Sequence, residues 1–72
     1  MPLTMAGNGD TGTIVKIVGR DETRQHLAEL GFVVGTAVTV LTKIAGNMIL
    51  SVRDSRVALD KAMAGRIIVE LS

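Results

Sequence analysis

The 72-residue sequence contains no cysteine. Disulfide scaffolds, zinc ribbons and iron–sulfur sites are thereby excluded. A single histidine, His26, rules out a multi-histidine metal site within one chain. Tryptophan and tyrosine are absent, and Phe32 is the sole aromatic residue. That removes an aromatic groove for proline-rich peptides and a stacking platform for single-stranded nucleic acid. Charge of one sign is scarce too: eight Lys and Arg stand against seven Asp and Glu, a net +1. A polyanion binder carries a clustered basic footprint, so nucleic acid is not an expected partner. The longest uncharged stretch, Leu30 to Thr42, has 13 residues broken by Gly31 and Gly35. A membrane-spanning helix needs about 20 apolar residues, so direct membrane insertion is not expected. Met1-Pro2-Leu3-Thr4-Met5 lacks the basic region and apolar run of a signal peptide, and a cytoplasmic location is the expectation.

What is present is a β-branched apolar set. Six Ile, nine Val and seven Thr favour strands, and eight Gly cut the chain into short segments. The length fits one domain over 1–72, with roughly 4,300 Å² of folded surface. Thr13 to Val18 reads as the first strand, entered through the glycine-rich Gly7 to Gly12, with Leu3 upstream to plug a barrel end. Ile14 and Val18 alternate there with Val15 and Ile17, so both faces are partly apolar.

A helix over about 21–30 follows. Asp21 is its expected N-cap, and Thr23, Leu27 and Leu30 make one apolar stripe. Gly31 stands at the left-handed C′ position, and Phe32 at C″ can fold back onto Leu27. Further strands are expected over 37–42, 48–53, 56–59 and 66–71. Val38 and Val40 share a face of the first of these, and Met48, Leu50 and Val52 point inward from the next. Ile67, Val69 and Leu71 share a face of the last. Turns fall at Ala45-Gly46-Asn47 and Asp54-Ser55, and Asp60 caps one late helical turn over 61–64, ended by Gly65. The fold class is mainly β: a small five-stranded barrel with one inserted α-helix and one short late helical turn.

These residues resemble a known family. The spacing of Leu3, Gly9, Gly12 and Ile14 is similar to the opening of ferrous iron transport protein A (FeoA). Leu27, Leu30-Gly31-Phe32, Gly35 and Val38 resemble its central pattern, and Arg56, Ala58-Leu59, Ala64, Ile67 and Val69 its close. The Asp54-Ser55 turn departs from the expected glycine, as does Gly65 from a stronger helix former. The resemblance implies an SH3-like barrel. It also implies a non-enzymatic accessory and regulatory role beside FeoB, a membrane ferrous-iron transporter with a cytosolic GTP-binding domain, exerted by protein–protein binding without a cofactor of its own. The related barrel at the C-terminus of iron-dependent repressors implies the alternative, a metal-responsive or nucleic-acid-binding module.

Candidate site residues are few. The helix end, Leu27, Leu30, Phe32 and Val33, is the expected partner-binding patch if part of it stays exposed; otherwise it seals the helix onto the barrel. Glu22, His26 and Glu29 share a helix face and form a candidate for adventitious metal, imidazole and carboxylate being acceptable ligands for ferrous iron. A solvated charged face is the plainer reading. Gly7 to Gly12 lacks the preceding strand and the Lys-Ser/Thr of a phosphate loop, so it reads as a barrel-entry loop. Arg53, Arg56 and Arg66 are interspersed with Asp54 and Asp60 and read as mixed surface. Met48 and Met63 read as gap-fillers. An unpaired sheet edge leaves pairing with a second copy open. No nucleophile–base arrangement suggests an enzyme.

Overall fold

The longer β-branched stretches, Thr11–Ile17 and Ala37–Ile44 among them, become strands, while Val33-Val34 lies in the connection between helix and strand. The computed structural model describes residues 1–72. A 3-10 turn over Leu3–Met5 precedes β1 (Thr11–Ile17), α1 (Asp21–Glu29), β2 (Ala37–Ile44), β3 (Asn47–Val52), β4 (Ser55–Asp60), α2 (Lys61–Ala64) and β5 (Ile67–Leu71). The five strands form one antiparallel sheet in the order β4-β3-β2-β1-β5. It curls around a core that includes Ile14, Leu27, Phe32, Val40, Leu50 and Ile67, all fully buried.

Two bulges bend the sheet. Ile14 pairs with Val69 and Lys16 with Ile68, so Val15 is the extra residue on β1. Val40 pairs with Leu50 and Thr42 with Ile49, so Leu41 is the extra residue on β2. A bulge leaves its extra residue unpaired and re-aims it. Val15 and Leu41 are both exposed. The expected alternation of Ile14 and Val18 with Val15 and Ile17 therefore breaks: Ile14 is buried while Val15 and Val18 face solvent.

The rims are closed unequally. Leu3 is buried, as a plug should be. The chain just before it runs along the outer edge of β5. The Met1 nitrogen donates to the Val69 carbonyl at 2.8 Å, the Val69 amide donates to Met1 at 2.8 Å, and Pro2 bridges Ile68. Gly12 lets β1 approach β5 closely, because a Cβ there would meet Val69 Cβ at 3.0 Å and the Glu70 carbonyl at 3.1 Å.

Three local expectations are corrected. The N-cap of α1 is the extended Arg20, and Asp21 is the first helical residue. Its carboxylate pairs with Arg24 and caps nothing, although it still complements the helix dipole. The β3–β4 turn is Arg53-Asp54, with Val52 opposite Ser55 and Arg53 at φ +53°. This register pairs all six β4 residues with β3, whereas a turn at Asp54-Ser55 would leave Asn47 and Met48 without partners before α2 begins. Leu71 is exposed, because it lies opposite Gly12, which offers no side chain to cover it. Asp60 does cap α2: the Met63 amide donates to Asp60 Oδ1 at 2.8 Å.

Candidate docking groove

The end of α1 is a complete Schellman motif. The Phe32 amide donates to the Leu27 carbonyl at 2.9 Å and the Gly31 amide to Ala28 at 3.0 Å. Gly31 supplies φ +108°, a region that L-residues enter only with strain. The reversal aims Phe32 into the barrel, where neither it nor Leu27 has accessible surface. These two residues therefore belong to the core and are withdrawn from the expected surface patch. Leu30 and Val33 are half-buried and remain at its margin.

A groove of about 510 Å³ opens between β1, α1 and the α1–β2 connection. Val15 and Lys16 form one wall, Arg24 and Ala28 the other, and Val33 and Val34 the end, above Phe32. The β1 bulge sets the first wall by turning both Val15 and Lys16 outward. The connection is pinned to β1 on both sides of Ile14: the Gly35 amide donates to its carbonyl at 2.7 Å and the Ile14 amide to Thr36 at 2.9 Å. Val34 at the tip is 65% exposed. Asp21 and Arg24 neutralise one another across the helix turn. Lys16, exposed, makes no ion pair and no hydrogen bond with its side chain, so it is the uncompensated charge at the rim.

The other candidates separate in space or in role. Glu22, His26 and Glu29 are all exposed, and no group of three His, Asp or Glu side chains comes close enough to hold a metal ion. The entry loop is internally satisfied: the Gly7 amide donates to Asp10 Oδ2 at 2.8 Å and the Gly9 amide to the Val40 carbonyl at 2.7 Å. Arg53, Arg56 and Arg66 are exposed, Met48 is core and Met63 packs against it. Sequence reasoning missed Val15, Lys16 and Val34. The run Val15-Lys16-Ile17-Val18, which fits neither face of a regular strand, was the available signal.

A family model described as the FeoA domain matches residues 1–71. This chain belongs to the FeoA family. No curated protein matches the sequence significantly. Among solved structures, an iron uptake regulatory protein (FeoA) is 38% identical, with a TM-score of 0.93 over 100% of this chain and 96% of that one. The FeoA of Stenotrophomonas maltophilia, a prokaryotic SH3 domain protein solved with zinc, is 25% identical, with a TM-score of 0.84 over 97% of this chain and 89% of that one. A manganese-dependent transcriptional repressor is similar at 24% identity and a TM-score of 0.91, with 100% of this chain covering 41% of that one. That last likeness shows a shared fold. The FeoA-type barrel is SH3-like, and its family is one of ferrous iron transport.

Proposed function

We propose that this chain is a cytosolic accessory protein of ferrous iron transport that works by docking, through the α1–β1 groove, on the cytosolic part of a FeoB-type transporter. The observation that carries this reading is the pairing of exposed apolar residues with one uncompensated cation. Val15 is 41% and Val34 65% exposed, and Lys16 stands between the strand and the helix without a partner. Such a groove suits an apolar segment with an acidic side chain, the apolar part supplying burial and the charge supplying orientation. A standard interface takes about 800 Å² from each partner, nearly a fifth of the 4330 Å² available, so one face must dominate. No helix of the chain is long and apolar enough to cross a membrane, which fits a partner that is recognised from outside the bilayer.

The test is co-purification with detergent-solubilised FeoB, alongside ferrous iron uptake in cells lacking the natural chain. Val34→Asp and Lys16→Glu change exposed side chains and are expected to keep the fold by circular dichroism while losing capture and uptake. Folded Val34→Asp protein that captures FeoB as well as the parent does would sink the groove as the docking site. Failure of the parent to bind FeoB at all would sink the wider reading.

A further inference from the structure

The two edges of the sheet are treated differently. The edge of β5 is covered by Met1 and Pro2. The edge of β4 is bare. Outside the β3 ladder and the first turn of α2, no backbone hydrogen bond involves Ser55–Asp60. Antiparallel ladders alternate between hydrogen-bonded and non-bonded pairs. The two-residue turn makes Val52 and Ser55 a bonded pair, so Ser55, Val57 and Leu59 spend their amides and carbonyls on β3. Arg56 and Ala58 direct theirs to the open edge, and Asp60 directs its amide there, its carbonyl serving as the first acceptor of α2. All three side chains are exposed and lie on the face away from Leu59 and the core.

Charged residues commonly guard such an edge against pairing. Here the two charges are opposite in sign and four residues apart, and the arrangement is self-complementary. When a second copy adds antiparallel with Ala58 facing Ala58, Arg56 lies opposite Asp60 of the second copy, and Asp60 opposite its Arg56. Both pairs sit at bonded positions of the ladder, and Val57 faces Leu59 on the core side. A register centred on Arg56 or on Asp60 would instead set like charges face to face. Nothing in the single chain competes for these groups: the one ion pair is Arg24–Asp21, and Asp60 commits only Oδ1 to its cap, leaving Oδ2 free.

We infer that β4 is a homotypic docking edge, through which two copies join their sheets about a two-fold axis at Ala58. A single strand edge buries less than the roughly 800 Å² per partner of a stable complex, so association is weak and concentration-dependent. The two-fold symmetry closes the assembly at two copies. The β1–α1 groove takes no part in this contact.

Sedimentation and amide hydrogen exchange test the inference. At about 10 µM the mass is that of one chain, and at about 1 mM, a concentration matched to millimolar affinity, it rises toward twice 7.6 kDa. Over the same range the Arg56 and Ala58 amides exchange at least ~10-fold more slowly, while those of Val57 and Leu59, already bonded to β3, change little. Ala58→Pro removes an amide that β3 does not use and is expected to abolish association. Arg56→Asp, at an exposed position without a partner, does the same with the fold intact even if the proline variant unfolds.

The absence of cysteine supplies a register test. Ala58→Cys cross-links to itself on mild oxidation, the Cα separation of a bonded pair, about 5.5 Å, lying within disulfide reach. Ser55→Cys, three residues from the axis, does not. A chain that remains one copy at ~1 mM with unchanged exchange overturns the inference. So does a dimer that survives Arg56→Asp and fails to cross-link through Ala58→Cys.

Discussion

The Phe32 amide donates to the Leu27 carbonyl at 2.9 Å, and this bond converts the end of α1 into a lock between helix and barrel. Both side chains are fully buried. The only phenyl ring in the chain is thereby committed to the core through a helix terminus, and the residues just past it, Val33 and Val34, are carried out to the groove.

Gly31→Ala tests the lock through its backbone. A Cβ at Gly31 would meet Val52 at an ordinary 3.6 Å, so space is available and the cost is conformational. With φ at +108°, alanine is expected to lose about 1–2 kcal/mol, measured as a lower urea midpoint at unchanged slope.

Phe32→Ala tests it through packing. Truncating a fully buried phenylalanine costs about 3–5 kcal/mol. A 72-residue domain at roughly 0.05–0.15 kcal/mol per residue has little to spare. Far-UV circular dichroism is expected to show a largely unfolded chain. Phe32→Leu should stay folded with a lowered melting temperature.

Gly12→Ala places a methyl group against Val69 Cβ at 3.0 Å and the Glu70 carbonyl at 3.1 Å. The carbonyl cannot yield without disturbing the β1–β5 ladder, so a loss of about 1–3 kcal/mol is expected from overpacking. Hydrogen exchange should show the loosening first in the β5 amides that face β1, such as Glu70 opposite Thr13, before the Val69 amide, which donates to Met1.

Asp60→Ala and Asp21→Ala form a matched contrast. Asp60 accepts from the Met63 amide and caps α2, so its removal should cost about 1 kcal/mol. Asp21 caps no amide and makes an exposed pair with Arg24, so its removal should stay within about 0.5 kcal/mol. Thermal melts of the two variants side by side decide it; equal losses would show that Asp21 supports α1 in another way.

Much of the architecture was legible because it follows from local rules. The spacing of Leu27, Gly31 and Phe32 specifies a Schellman ending whatever surrounds it, and Asp60 before a short helical turn specifies a cap. Met48, Leu50 and Val52 announce an inward face by alternation, and all three are buried. The Arg53-Asp54 turn was missed because adjacent two-residue turns keep the same faces inward, and the choice between them rests on how many residues β3 and β4 can pair. The groove was missed for a related reason. Val15 points outward because Lys16 pairs with Ile68, which is a fact about β5 and not about the residues beside Val15.

By itself, the sequence determined what this protein lacks and where its short elements lie. Composition excludes whole classes of chemistry, and caps, glycines and alternating apolar residues act within a few positions of one another. Only the tertiary structure decided which apolar residues reach solvent. Bulges, strand register and the covering of one sheet edge by Met1 and Pro2 arise between segments far apart in the chain. The surfaces left for partners are what those long-range pairings leave uncovered.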